Sequence, residues 1–301
     1  RQVLMLADRH DWHAAFGSEV GAALAVERLT GIAPPDRATW LRTLMSEITR
    51  MQSAAVFLGV PLGVEEALRM REWLLDHVEA YTGNRIHPMI NRVGGLASDA
   101  SEEWLLTLRA QSTQMHRVVE SLRDALESQR ARFRGLACLS AEDALALGAT
   151  GPVARASGVD VDLRRDDPYL AYSELDVEVV SRQEGDALAR FEVMCAETAV
   201  SLRLMDACCE RLLDTPGAIH VRLPKVLRAP EGSVYVWTEN PSGVNGYHVV
   251  STGEPSPWRL KIRSAGFANL QALATALPGT PLSTLDAAVM SFALTAGDID
   301  R

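Results

Sequence analysis

The sequence predicts a mainly α protein, a bundle of long helices with a small antiparallel β-meander near its C-terminus. Two patterns carry that expectation. Apolar residues recur at spacings of three and four over 41–55, 64–83, 102–133 and 185–214, the period of helices with a buried face. Short alternating segments bounded by Gly, Pro and Asn are concentrated at 233–262, as in half-buried strands joined by tight turns. The 301 residues, 47% of them hydrophobic, suffice for a large core. No internal repeat or low-complexity linker divides them, so one domain over 1–301 is expected.

Taken in order, Pro34-Pro35-Asp36 reads as a stop followed by an N-cap, after which Leu41, Leu44, Met45, Ile48, Met51 and Ala55 share one helical face. Gly59, Pro61 and Gly63 punctuate before a second helix from about Val64 to Gly83. A third runs from Glu102 to Phe133 with Leu105, Leu108, Met115, Val119, Leu122 and Leu126 inward. Leu175–Val180 reads as a strand. In 185–214, Leu188, Phe191, Cys195, Thr198, Leu202, Met205, Cys209 and Leu212 form a seam. Cys195 and Cys209 are then small core residues, and Cys208 points elsewhere. Ser233–Thr238, Tyr247–Ser251 and Trp258–Ile262 form the meander, followed by helices near Phe267–Ala276 and Ser283–Leu294.

The charge balance is acidic, 30 Lys+Arg against 39 Asp+Glu for a net −9, which argues against nucleic acid as a partner. The four cysteines make no C-x-x-C pair, so no zinc ribbon, iron–sulfur site or disulfide framework is indicated, and a reducing compartment is expected. No run of about 18 apolar residues occurs, so membrane association is expected only through partner subunits. The chain begins with Arg1, and further residues upstream are expected.

Asp8, His10, Asp11 and His13 crowd one short segment, with His10 and His13 on one face if it is helical. These are metal-ligand types, but no second cluster completes a site, and solvated or salt-bridged side chains are the plainer reading. His87, between Arg85 and Pro88, could titrate near neutral pH beside a redox centre or serve as a hydrogen-bonded loop histidine. Gly94-Gly95 implies tight backbone packing and is not part of a phosphate loop. Asp160, Asp162, Asp166 and Asp167 with Arg164 and Arg165 read as a solvated charge run; Glu47 and Arg50 could form a buried functional pair, with exposed i,i+3 partners the plainer reading. No triad or paired-carboxylate motif is legible.

A series of ordered blocks adds what single motifs do not. DRHDW (8–12), PPDRATWLRTLMSEITR (34–50), RIHPMINRVGG (85–95), RASGVDVDLRRDDPY (155–169), YHVVSTGEPSPWRLKIRSAGFANLQAL (247–273) and GDIDR (297–301) span the chain. Their order and spacing resemble the 49 kDa-type, quinone-site (D-type) subunit of respiratory NADH:quinone oxidoreductase (complex I). That resemblance implies the fold of the nickel–iron hydrogenase large subunit, a long-helix bundle with small sheets. The cysteine pairs that bind nickel in those hydrogenases are missing here.

The resemblance further implies a peripheral subunit at the cytoplasmic face of the cell membrane, in an assembly that takes electrons from NADH. It would dock against a small iron–sulfur subunit and other peripheral-arm subunits, and share a quinone pocket beside the partner's terminal iron–sulfur cluster. No cluster would be bound by this chain. Arg9 matches the Arg beside that cluster, and His87 the His coupled to its redox protonation. Where the family reads R-M-D-Y, with a Tyr donating to a quinone oxygen, this chain has Arg9-His10-Asp11-Trp12; an indole N–H donates a hydrogen bond but does not transfer a proton as a phenol does. Between Gly59 and Arg69 the chain is shorter than the family, losing an Asp that partners a headgroup-binding His, and Ala293 replaces another Asp. Three readings stay open: a subunit with an altered quinone pocket, a non-catalytic structural or assembly subunit that kept the fold, and a ferredoxin- or hydrogenase-linked relative.

Overall fold

The structure, a computed structural model, describes residues 2–300; Arg1 and Arg301, the last residue of the GDIDR block, lie outside them. A short helix α1 (Gln2–Ala7) leads to α2 (Ala15–Thr30), α3 (Asp36–Leu62) and α4 (Glu65–Thr82). A two-strand hairpin, β1 (Asn91–Arg92) and β2 (Gly95–Leu96), precedes α5 (Glu102–Ser128). Four short helices follow, α6 (Arg130–Phe133), α7 (Ala141–Ala146), α8 (Gly151–Ala156) and α9 (Leu163–Asp166), before α10 (Ala187–Leu213). The meander β3 (Gly232–Asn240), β4 (Gly243–Ser251) and β5 (Arg259–Arg263) then leads into α11 (Ala265–Ala276), α12 (Leu285–Met290) and α13 (Ala296–Ile299).

The bundle is built from α3, α4, α5 and α10, with α10 packed against both α3 and α5, and α3 against α4. Three of these helices have 27 residues each, about 40 Å at 1.5 Å per residue. The expected inward residues of α5 and all eight residues of the α10 seam are buried. Cys208 is buried as well, because α10 is walled on more than one side; its thiol sits in the same core, and burial pushes its pKa well up. A second apolar cluster joins α2 to the meander, whose strands run in the order β3-β4-β5 with Asn240 opposite Gly243 across the turn.

Several local expectations are corrected. Asp36 is the first helical residue and Pro35 the cap, without a side-chain hydrogen bond. Gly59 and Pro61 do not end α3; a Cβ at Gly59 would lie 3.0 Å from that of Ala67, so the glycine permits the close approach of α4, and Gly63 (φ 69°) makes the stop. Leu175–Val180 is not a strand: Val177 packs with Tyr172, Val200 and Leu204, so its apolar pattern serves the side of α10 instead of a ladder. The helix expected at Ser283–Leu294 is shorter, α12 preceded by a 3-10 turn at Leu282–Thr284, and Ala293 beyond it takes the left-handed region at φ 50°.

The largest departure is ionic. Glu47, Arg50, Asp162 and Arg164, read as surface charges, are buried. Arg164 clamps Asp162 at 3.0 and 2.7 Å and reaches Glu47 at 3.2 Å, while the Tyr172 hydroxyl donates to Glu47 at 2.5 Å. Arg155, fully buried, donates to Glu197 at 2.5 Å and Glu239 at 2.8 Å. Burial alone would raise Asp162, but Arg164 and Arg155 hold its carboxyl well below the usual range. The chain thus pairs four carboxylates with three guanidinium groups inside its core, with Arg50 reaching the Glu239 and Asn240 carbonyls. Only the outer members of the 160–167 run, among them Asp160, Arg165 and Asp166, face solvent.

Candidate functional site

The segment after α1 turns sharply instead of continuing as a helix, which spreads its side chains over several directions. His10 turns inward, its Nδ1 3.1 Å from the Asp298 carboxylate and its Nε2 2.9 Å from the Tyr247 hydroxyl. Asp298 also accepts from the backbone N–H of Gly266 at 2.5 Å. The first and last sequence blocks are therefore neighbours, and the turn at 8–12 is tied to the start of α11 and to β4.

Anchored in this way, the turn presents Arg9 and Trp12 outward. Asp8 is fully buried beneath Arg9 and accepts from its guanidinium at 2.6 Å. The other oxygen of Asp8 lies 3.2 Å from Nδ1 of His87, itself about one-third exposed. Arg9 also donates to the Met5 carbonyl and contacts the Met89 sulfur at 3.7 Å. Arg9 and His87, 78 positions apart in sequence, are thus brought to one carboxylate. Asp8 had a place in the sequence only as a doubtful metal ligand; its bridging role requires the tertiary contact.

The loop carrying His87 is held from below by α2. Glu19 accepts from the backbone N–H of Met89 at 2.7 Å and from the backbone and side-chain N–H of Asn91 at 3.2 and 3.1 Å. Burial pushes the Glu19 carboxyl up to about 7, against the pull of those hydrogen bonds, and the nearby Asp8 charge adds to the rise. Two turns further along α2, Glu27 accepts from Gly94 N–H at 2.7 Å and is paired with Arg42, which also donates to the Arg92 and Gly95 carbonyls. Gly95 fulfils the tight packing expected of the glycine pair: a Cβ there would fall 2.0 Å from the Ile219 carbonyl oxygen.

Trp12 is 47% exposed and stacks on His13, ring centres 4.5 Å apart, with His13 against Phe57 at 5.3 Å. Burial, with the Arg71 charge acting the same way, lowers the His13 pKa to about 4, so this imidazole is neutral at pH 7. The row offers an apolar aromatic face with an indole N–H as donor. It suits a flat apolar ring better than a charged ligand. The connection from α3 to α4 is only two residues, Gly63-Val64. A groove of about 700 Å³ runs between α2, the meander and the 219–229 segment, with Val3 and Leu4 of α1 and Arg92 also on its wall.

Among the described residues no group of three or more His, Cys, Asp or Glu is arranged to hold a metal ion, and no helix is long and apolar enough to cross a membrane. The exposed apolar side chains Met5, Leu6, Trp12 and Ile86 surround Arg9 and His87, so the corner is rimmed by surface of the kind partners cover.

Comparison with known proteins gives a consistent result. A family model described as the respiratory-chain NADH dehydrogenase 49 Kd subunit matches residues 61–227 and 220–301. The chain is 49% identical over 311 residues to the D 2 subunit of NADH-quinone oxidoreductase from Salinispora tropica, covering all of this chain and 80% of that protein. It is 49% identical over 314 residues to the D 1 subunit from Streptomyces coelicolor, covering 100% and 82%. A more distant relative, the D 2 subunit from Rhizobium etli, is 34% identical over 306 residues, covering 90% and 76%.

Proposed function

This chain belongs to the respiratory-chain NADH dehydrogenase 49 kDa subunit family, and from that premise we propose that its Asp8–Arg9–His87 corner faces a partner's terminal iron–sulfur cluster and borders a quinone pocket. The chain is a subunit of NADH-quinone oxidoreductase, a component of electron transport. The finer reading has it acting as one domain, docked on the small iron–sulfur subunit and other peripheral-arm subunits at the cytoplasmic face of the membrane. The observation that carries it is the single buried carboxylate of Asp8 shared by Arg9 and His87 on an apolar-rimmed surface.

Electron transfer belongs to the cluster and the quinone; the chain supplies charge, shape and proton-bearing groups around them. Arg9, a fixed cation, would favour the reduced, more negative cluster. His87 would take up a proton when an electron arrives nearby and release it when the electron leaves, with Asp8 steadying its protonated form. Trp12 would stack on a headgroup and donate from its indole N–H, and neutral His13 behind it adds no charge.

The test is to purify the chain with a small iron–sulfur subunit in the assembled complex and assay quinone reduction. His87→Ala should lower turnover and weaken the pH dependence of the cluster's midpoint potential; unchanged values would remove His87 from this role. A second reading, a structural subunit without a working pocket, is favoured by the two-residue α3–α4 connection and the exchange of phenol for indole at Trp12. Quinone reduction insensitive to both Trp12→Ala and His87→Ala would decide for it.

A further inference from the structure

We propose that Glu19 is the positioning residue for His87: its carboxylate clamps the 88–91 turn so that the imidazole meets Asp8. This deepens the proposed role of the corner and rests on that reading. One buried side chain on α2 takes three N–H donors from the turn immediately after His87, two of them backbone. A backbone N–H pair captured on a rigid helix fixes the chain direction there, and Met89 is held in the left-handed region at φ 49° between the two bonds. With Met89 and Asn91 fixed, Pro88 leaves His87 little freedom, and its ring comes to lie 3.2 Å from Asp8.

Glu27, on the same helix, shows what a purely structural carboxylate looks like here. It grips the far end of the hairpin at Gly94 but is neutralised by Arg42 in a two-point pair. Glu19 accepts from neutral N–H groups instead, and sits close enough to Asp8 to feel its charge. A carboxylate held in the core by neutral donors is expensive. An Asn or Gln would avoid that charge but would accept through one oxygen only. The ionised carboxyl has what the amides lack, two oxygens that both accept, and both are used.

The experiment compares Glu19→Gln, Glu19→Ala and His87→Ala in the assembled complex. Hydrogen exchange by mass spectrometry reads the peptide spanning 85–92, and a redox titration at several pH values reads the partner cluster. Gln keeps the volume and removes the buried charge, so folding is preserved, but its amide NH2 faces a donor of Asn91. The expected result is exchange at least tenfold faster at Met89 and Asn91 in both Glu19 variants, with the pH slope of the potential reduced as in His87→Ala. A structural contribution alone would not move that slope. Unaltered exchange overturns the proposal, as does faster exchange with a wild-type slope while His87→Ala flattens it. Should His87→Ala itself leave the slope intact, the reading of His87 is what fails, and exchange alone then decides whether Glu19 holds the turn.

Discussion

The molecule holds two groups of charged side chains built on opposite principles. In the core, Arg155, Arg164 and Arg50 interlock with Glu47, Asp162, Glu197 and Glu239, and the side chains are excluded from water. At the corner, a buried Asp8 supports an exposed Arg9 and a partly exposed His87. Core charges have their partners within the chain and are closed off from water. The corner charges have one face satisfied and one left for a neighbour. Burial of charge therefore marks what holds this fold together, and partial exposure marks what it offers to another molecule.

Breaking the core should give the largest effect. Arg155→Ala strands Glu197 and Glu239 in the interior, and loss of one partner of a buried pair costs about 3–5 kcal/mol. Urea unfolding would read it as a lowered midpoint with an unchanged slope. A loss under about 1 kcal/mol would mean that water enters the network, and core and corner would then not differ in kind.

The next effect concerns pH. Glu19 ionises near 4.5 in the unfolded chain and at about 7 in the folded one. Between those values the unfolded state has already lost its proton, so stability from this group falls as pH rises, by roughly 3 kcal/mol in all. His13 works in the opposite sense: its folded pKa of about 4 lies below the ordinary 6.5, so its contribution is present above 6.5 and is lost as pH falls toward 4. The two partly cancel in the native protein. Glu19→Gln should expose the His13 slope alone, with stability measured by denaturant at pH 5, 6 and 7; parallel curves for variant and native protein would contradict the burial of Glu19.

How much of this was legible in the sequence follows from the same contrast. Helix periodicity gave α3, α4, α5 and α10 because apolar stripes are a local signal, and turn residues gave the meander for the same reason. The buried ionic network was illegible: Asp162 and Arg164 sit in a run that also contains exposed Asp160 and Arg165, and nothing in the composition separates them. Arg9 and His87 were found through likeness to a family, since neither stands in a catalytic motif. Asp8, Glu19 and the His10–Asp298 contact depend on segments 79, 70 and 288 residues apart. The one local hint was a Glu on the inward face of an apolar helix, which α2 also shows at Glu27, but a single sequence gives no reason to prefer it to a solvated one.

The smallest effect belongs to the surface beside the corner. Arg85 opens the His87 loop and bonds three carboxylates of α4, Glu72 at 2.6 Å, Asp76 at 2.5 Å and Glu79 at 3.1 Å, which raise its pKa, with Asp76 first. The cluster looks like an anchor. Yet its members are open to solvent, where water and salt replace most of what an ion pair provides, and a guanidinium among three carboxylates chiefly relieves their mutual repulsion. Arg85→Ala should leave the unfolding midpoint of the chain close to native at about 0.5 M salt, with only a small loss at low ionic strength. The placement of His87 should survive, because its turn is gripped by α2 from the buried side. A large, salt-independent loss would mean that the loop hangs from α4, and the distinction between buried support and exposed presentation would have to be redrawn.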